Sequence, residues 1–198
     1  VWIINDQYEK GGRNLESFIQ AIYFKDICGF TVHDVMIYHK SGFSFPANNR
    51  YHQVYEYILI LTKGKIRTFN PILDRKNKYI GQKAHGLHRG KNENEYVDMS
   101  KIVKAKPAKE YGKRFNIWYV KVGGGHVTKD KIAYKHPALF PEQLANDLII
   151  SFSNKDDLIY DPFIGSGTTA KMSKLLNRNY IGSEISSEYC SIAEERLN

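Results

Sequence analysis

The chain has 198 residues, of which 42% are hydrophobic and 13% aromatic, and this composition suits one α/β domain with an insertion. No apolar run approaches the ~18 residues of a membrane span, and no charged-then-apolar leader is present, so we expect a soluble cytoplasmic protein without a membrane partner. Only two cysteines occur, Cys28 and Cys190, without the spacing of metal ligands, so we expect neither a disulfide framework nor a metal site.

Positive charge is concentrated in the middle of the chain. The formal net charge is +8, but residues 63–135 hold 19 Lys and Arg against 6 acids, and the remainder holds 10 against 15. A basic insert on an acidic body indicates a polyanionic partner, although a solvated lysine-rich loop would give the same count.

The N-terminal part reads as strands and one helix. Val1–Ile4 is a short apolar strand, and the polar turn 5–7 at its end is a candidate for ligand contact. From Asn14, a potential N-cap, apolar residues recur at helical spacing up to Gly29, which predicts a helix that covers a sheet with its aromatic side chains in the core. Further strands are predicted at 30–39 and 58–61.

Regular periodicity is lost between residues 63 and 135, apart from a short strand predicted within 114–120. Long irregular segments inside compact domains are usually functional or disordered. The stretch RKNKYIGQKAHGLHRGK, residues 75–91, combines Lys and Arg for phosphates with Asn and Gln that can read adenine edges. The candidate nucleic-acid contacts in this stretch are Arg75, Lys76, Lys78, Lys83, Arg89 and Lys91.

The C-terminal part reads as a strand–turn–helix–strand pattern that ends in an acid. The predicted elements are a helix at 141–151, a strand at 158–163, a glycine turn at 164–169, a helix at 168–176, a strand at 179–183 and a helix at 188–197. A glycine turn that leads into a helix presents backbone N–H groups and the positive end of the helix dipole to a ligand. Glu184 lies 19 residues after Gly165, a spacing at which an acid accepts hydrogen bonds from ribose hydroxyls. The combination predicts an adenosine-containing ligand, whereas glycines alone would also fit an ordinary turn.

The sequences DPFIGSGTTA (161–170) and NYIGSEISSEYCSIAEERL (179–197) resemble the S-adenosylmethionine-binding segment of DNA methyltransferases that modify adenine N6 or cytosine N4. The resemblance is to the subgroup whose cofactor motif follows the recognition region. It implies a mixed α/β, Rossmann-like methyltransferase sheet, S-adenosylmethionine as cofactor, and duplex DNA with an extruded target base as substrate. The cofactor contacts that it implies are Asp161, Phe163, Gly165, Ser166, Gly167, Thr168, Glu184, Ile185, His136 and Pro137.

The resemblance also implies three regions. Residues 1–62 form the second half of the methyltransferase sheet, 63–135 a basic target-recognition insertion, and 136–198 the cofactor-binding part. The family commonly has HPTQKP where this chain has HPALFP (136–141), so any lysine contact with the cofactor carboxylate is lost here. A family segment of the type R(Y/F)xxxxEYIL(V/I)xxKG matches residues 50–64, which places the DNA-binding candidates Arg50, Tyr51 and His52 beside the pocket for the extruded base.

The family's catalytic tetrapeptide, (D/N/S)PP(Y/F/W), does not occur in these 198 residues. We therefore expect the catalytic residues upstream of Val1, a C-terminal piece that is inactive alone, and a gap in the sheet beside the cofactor strand. A non-catalytic nucleic-acid-binding relic, or a methyltransferase of RNA or a small molecule, are the alternatives. A bacterial, archaeal or phage restriction-modification context is implied. The sequence leaves open the target base, the recognition sequence, a cognate restriction enzyme and the oligomeric state.

Overall fold

The computed structural model describes residues 1–42, 48–83, 88–92, 96–103, 105–123 and 125–198, without the side chains of residues 88, 89, 99, 102 and 103. Two compact units result, a core unit (Val1–Asn70 and Asn116–Asn198) and an insert unit (Pro71–Phe115). The insert unit lies within the insertion proposed at 63–135. Residues 84–87 of the candidate nucleic-acid stretch, and the side chain of Arg89, lie outside the described part.

The core unit contains both strands and helices, which alternate over residues 142–197, and the insert unit contributes four short strands. In chain order they are β1 (Trp2–Ile4), β2 (Tyr8–Glu9), β3 (Gly12–Arg13), α1 (Glu16–Asp26), β4 (Thr31–Lys40), β5 (Tyr55–Thr62), β6 (Arg75–Lys76), β7 (His88–Lys91), β8 (Val97–Val103), β9 (Tyr111–Gly112), β10 (Ile117–Val120), a 3-10 helix (Lys131–Lys135), α2 (Glu142–Phe152), β11 (Leu158–Asp161), α3 (Thr168–Leu175), β12 (Asn179–Gly182) and α4 (Ser187–Leu197).

The main sheet of the core unit has the strand order β1-β5-β4-β10. Strand β5 runs antiparallel to both β1 and β4, and β10 runs parallel to β4. The continuous apolar run in β5 is buried, with Ile58, Leu59 and Ile60 at most 2% exposed. A strand that is apolar on both faces is typical of a central sheet position. All the predicted strands and helices are present, and β5 extends three residues further toward the N-terminus than predicted.

A second, two-stranded sheet carries the glycine turn. Strands β11 and β12 are parallel, and α3 connects them. Among the described residues, neither strand is hydrogen bonded to the main sheet, and β1 and β11 each pair along one edge only. Leu158 and Tyr160 of β11 and Ile181 of β12 are more than half exposed. The predicted gap beside the cofactor strand is therefore present in this structure.

The prediction that α1 covers the sheet with its aromatic side chains is largely wrong. Phe18, Ile22 and Tyr23 are 52%, 60% and 54% exposed. Phe24 packs edge-on against Trp2 and Phe30, and the ring of Phe18 packs edge-on against Tyr57 in β5. Helical periodicity identified the helix but could not say which part of its wide apolar stripe has a neighbour.

Asp6 of the polar turn after β1 has a structural role. Asp6 is buried, and its carboxylate accepts hydrogen bonds from the backbone N–H and the hydroxyl of Ser17, at 2.7 and 3.0 Å. Asn14, the expected N-cap, lies just before the helix, and Leu15 occupies the cap position with a positive φ of 56°. A carboxylate from the preceding loop thus satisfies the first turn of α1.

The insert unit is built from two antiparallel strand pairs, β6 with β9 and β7 with β8. An isolated bridge between Lys83 and Pro107 extends the first pair. The described helices of the whole chain include none that is long and apolar enough to cross a bilayer.

Candidate cofactor-binding site

The glycine turn between β11 and α3 needs glycine at two positions. Gly165 and Gly167 have φ values of +51° and +81°, in the left-handed region that glycine adopts without strain. A Cβ on Gly165 would lie 3.1 Å from Nε2 of His136, and one on Gly167 would lie 2.8 Å from the Cβ of Ala193. The turn is therefore held close to α4 and to residues 136–141, which we call the 136 segment.

Glu184 follows β12 and joins the turn to the next helix. Its Oε2 accepts the backbone N–H of Gly165, and its Oε1 accepts that of Ser186, both at 3.0 Å. These bonds lower the pKa of Glu184, with the Ser186 N–H as the largest cause and His136 as a smaller electrostatic one. A carboxylate offers about four acceptor positions, so the backbone N–H groups leave acceptor capacity for a ligand.

Asp161 braces the turn from the end of β11. Its two oxygens accept the backbone N–H of Phe163, at 3.0 Å, and the hydroxyl of Thr169, at 2.6 Å. Both oxygens are thus engaged by the turn itself. Asp161 fixes the course of the chain through Pro162 and the first turn of α3.

The 136 segment lies against the glycine turn, as the interpretation of these residues as one site requires. The ring of His136 packs edge-on against Tyr189 of α4, with the ring centroids 4.3 Å apart. Its Nδ1 lies 2.8 Å from the carbonyl oxygen of Ala138. Pro137 is exposed, whereas Leu139 and Phe140 line a cavity of about 540 Å³ with Tyr38, Lys40 and Glu56.

Two apolar side chains are exposed at the site. Phe163 is 73% exposed and Ile185 is fully exposed, one before the glycine turn and one directly after Glu184. The ring of Phe163 touches Trp2 of β1 edge-on, with centroids 5.9 Å apart. Exposed apolar side chains next to a carboxylate with free acceptor positions form a surface that suits a purine nucleoside.

Arg196 of α4 contacts the glycine turn, and the sequence alone did not indicate this residue. Its side chain is fully buried. It donates to the carbonyl oxygen of Ser166 at 2.6 Å and to the hydroxyls of Ser166 and Thr168 at 3.1 Å. The two buried hydroxyls of the turn therefore point toward an arginine rather than toward the ligand side.

Acidic partners hold Arg196 in place. The guanidinium pairs with Asp130 at 3.0 Å and Glu142 at 2.8 Å, and Lys171 pairs with the same two carboxylates. Burial alone would raise the pKa of Asp130, but hydrogen bonds from Lys171 and Arg196 outweigh it and lower the pKa. We call these four residues the charge network. No local spacing could have revealed it, because its members span residues 130 to 196.

The proposed base-pocket residues lie in the core unit. The guanidinium of Arg50 lies 3.7 Å from the ring centroid of Tyr8. Tyr51 is 98% exposed, and His52 is exposed. Glu56, in the same segment, accepts a hydrogen bond from Lys40 at 3.0 Å. The position of the Arg50 side chain is therefore set by its contact with the ring of Tyr8.

The DNA-contact candidates of the insert unit differ in exposure. Lys76, Lys78, Lys83 and Lys91 are exposed. Arg75 is half-buried, donates to the carbonyl oxygen of Lys113 at 3.0 Å and lies over the ring of Phe115. Arg75 therefore has a role inside the unit.

Together, a parallel strand–glycine turn–helix–strand unit and an acid that clasps the turn define a nucleoside-binding α/β protein of the methyltransferase type. A family model described as DNA methylase, covering N6 and N4 enzymes, matches residues 1–195. The chain belongs to this family, and the predicted family, fold class and enzyme class are confirmed.

Individual relatives agree with the family match. The chain is 52% identical over all of its 198 residues to the orphan methyltransferase M.BamHII of Bacillus amyloliquefaciens, 73% of which is covered. It is also 34% identical to the type II methyltransferase M.MjaI of Methanocaldococcus jannaschii over 158 residues. This alignment covers 79% of this chain and 43% of M.MjaI. The names favour a DNA methyltransferase over a nucleic-acid-binding relic or an enzyme of RNA or small molecules.

Solved structures share the fold. The cytosine-N4-specific PvuII DNA methyltransferase superposes with a TM-score of 0.71 at 17% identity, over 99% of this chain and 62% of that one. The M1.HpyAVI complex with SAM (S-adenosylmethionine) gives a TM-score of 0.59 at 26% identity, over 92% of this chain and 71% of that one. The chain thus spans about two thirds of the length of these structures.

Proposed function

We propose that this chain carries the S-adenosylmethionine site of an amino-directed DNA methyltransferase. The observation that carries the proposal is the clasp of Glu184 on the backbone N–H groups of Gly165 and Ser186, because it fixes a carboxylate beside the glycine turn at the spacing of a ribose-binding acid. Family membership and the likeness to M1.HpyAVI, solved with SAM, support this ligand.

In the proposed site, the free acceptor positions of Glu184 hold the ribose hydroxyls, and Ile185 and Phe163 cover the adenine. Gly165 and Gly167 allow the ligand to approach the backbone, while Asp161, Ser166 and Thr168 shape the turn through their own hydrogen bonds. His136 and Pro137 face the methionine end. When bound, S-adenosylmethionine supplies a methyl group activated on a positively charged sulfur.

The target amine requires residues that this site does not provide, namely a polar group to accept the amine hydrogens and an aromatic ring to stack on the base. We propose that a strand between β11 and β1 supplies them, since both strands have an unpaired edge in the described structure and exposed apolar side chains flank it. The exposed Tyr51 and His52, with Arg50, would border the extruded base.

The insert unit would bind the DNA duplex. Residues 71–115 hold 12 Lys and Arg against 5 acids, which suits a polyanion. The proposed place of action is the cytoplasm of a prokaryote, in line with the bacterial relatives. Whether adenine N6 or cytosine N4 is the target is decided by the residues that meet the amine.

The test is cofactor affinity in a Glu184→Gln variant. Loss of a charge-assisted hydrogen bond of about 1.5–3 kcal/mol should weaken S-adenosylmethionine binding roughly ten- to a hundredfold in calorimetry. The matched control is Glu194→Gln, an exposed acid of α4, which should leave the affinity unchanged. Thermal melts of both variants separate loss of the ligand contact from loss of the fold. Equal affinity in Glu184→Gln and wild type would remove the ribose site from the proposal.

A further inference from the structure

We propose that the three residues Lys78, Tyr79 and Ile80 of the insert unit, which we call the wedge turn, insert between base pairs of duplex DNA. The inference rests on the proposed DNA-binding function and adds the residues and the manner of contact. It predicts that the insert unit deforms the duplex as well as holding its phosphates.

The wedge turn projects from a stiff two-stranded ribbon. Before it, β6 pairs with β9, and the backbone N–H of Asn77 donates to the carbonyl of Glu110 at 2.8 Å. After it, the N–H of Gly81 donates to the carbonyl of Ala108 at 2.8 Å, and Lys83 forms a bridge with Pro107. The side-chain amide of Asn77 adds a bond to the carbonyl of Lys109 at 2.7 Å. Residues on both sides of the turn are therefore fixed, and its tip is preorganised.

The tip of the wedge turn is apolar. Tyr79 is 58% exposed and Ile80 is 50% exposed, although both belong to residue types that folding normally buries. Gly81 has a φ of +77°, which closes the turn directly after the two side chains. An aromatic and an aliphatic side chain side by side on a rigid tip have the chemistry of the side chains that unstack base steps.

The surroundings of the tip select a polyanion as its partner. Lys76, Lys78, Lys83 and Lys109 are all exposed on the ribbon, and the ammonium of Lys78 lies 5.5 Å from the ring centroid of Tyr79. Phosphates attract these lysines. The apolar tip binds favourably only to a partner that also has apolar surface to bury it. Duplex DNA provides both the negative charge, on its phosphates, and the apolar surface, on its stacked bases. The charge of the tip thus argues for duplex DNA over an apolar protein surface.

The experiment measures duplex affinity of the 198-residue chain across a salt series by fluorescence anisotropy. A stacking side chain releases no counterions, so Tyr79→Ala should weaken binding roughly tenfold at every salt concentration, with an unchanged log–log slope. The triple variant Lys76→Gln, Lys83→Gln, Lys109→Gln should instead reduce that slope by up to about 0.9 per lost phosphate contact. Tyr79→Phe retains the ring and should retain the affinity.

A duplex with a one-nucleotide gap provides the second readout. Insertion of side chains requires neighbouring base pairs to unstack, which costs free energy. A gap lowers this cost, so the wild type should bind the gapped duplex more tightly than the intact one. Tyr79→Ala and Ile80→Ser should lose this preference. The matched control is Tyr23→Ala, an exposed tyrosine of α1 in the core unit, which should keep it.

The outcomes distinguish the two levels of the proposal. A wild-type chain that binds no duplex at low salt overturns both the DNA-binding function and the wedge. A chain that binds duplex with the expected salt slope, but whose affinity and gap preference survive Tyr79→Ala and Ile80→Ser, overturns the wedge alone. Neither substitution removes a backbone bond of the ribbon, and circular dichroism verifies that each variant is folded.

Discussion

At the scale of single residues, Arg196 is the side chain on which the glycine turn depends. It lies 30 residues after Ser166 and is fully buried, yet it touches the turn and both acids of the charge network. An arginine suits this place because its planar fork can reach several oxygens at once, which an ammonium cannot. Arg196 therefore positions the turn, and we expect it to affect the proposed cofactor site only through the turn.

Removal of Arg196 should therefore cost stability and affinity together. Arg196→Met leaves Asp130 and Glu142 with Lys171 as their remaining charged partner, and breaking a buried pair of this kind typically costs about 3–5 kcal/mol. We expect a loss of this size in the free energy of unfolding, measured by urea titration, and weaker S-adenosylmethionine binding. Arg196→Lys keeps the charge and should recover only part of both.

The matched control for Arg196 is Lys155→Met, an exposed residue whose change should stay within about 0.5 kcal/mol of wild type. If Arg196→Met were as stable as this control, the charge network would not support the turn.

Some site residues could be predicted because they lie in one short sequence pattern, whereas others come from distant parts of the chain and were missed. Gly165 and Glu184 follow from one strand–turn–helix–strand pattern, and the structure brings them to 3.0 Å of each other. Arg196 lies 54 residues after Glu142 and 66 residues after Asp130, and these separations follow no rule of spacing. Only the folded chain shows which charges meet.

At the scale of elements, strand and helix positions were predictable because periodicity and turn residues are local. The partner of a helix face is not local. The apolar stripe of α1 was assigned to the core, yet Phe18, Ile22 and Tyr23 are more than half exposed. By contrast α2 has a compact buried side, with Ala145 and Ile149 packed against Met172 of α3. Both helices have an apolar stripe, but it is buried in α2 and largely exposed in α1, because in the described part of the chain only α2 has a neighbouring helix against that side.

Helix α3 contains a polar group that packing has isolated. Ser173 is fully buried, and its hydroxyl has no hydrogen-bond partner among the described atoms. A buried hydroxyl without a partner costs about 1–3 kcal/mol, so Ser173→Ala should raise the free energy of unfolding by about 1 kcal/mol or more. The melting temperature should rise by about 2–4 °C, as measured by calorimetry.

Ser191→Ala on α4 controls for the helix propensity that any such change adds, since its hydroxyl is exposed and bonded to the carbonyl of Ser187. A Ser173→Ala variant that gains no more than Ser191→Ala would mean that the buried hydroxyl has a partner after all.

At the scale of the whole molecule, positive charge is concentrated in one of the two compact units. The insert unit carries an excess of seven positive charges, whereas the core unit holds the acids of the charge network and of the candidate cofactor site. Composition alone foresaw this asymmetry, because charge can be counted without knowing the fold. The wedge turn was not foreseen, since the exposure of Tyr79 and Ile80 depends on the ribbon that carries them.

The central claim is that Glu184 and the glycine turn bind the adenosine of S-adenosylmethionine, and a crystal structure of the 198-residue chain soaked with this cofactor tests it most directly. We expect both ribose hydroxyls within about 2.5–3.2 Å of the Glu184 carboxylate, with the adenine against Ile185 and the Gly165 and Ser186 hydrogen bonds retained. Adenosine bound elsewhere on the chain, with no ribose oxygen within about 3.5 Å of Glu184, would contradict the assignment of this site.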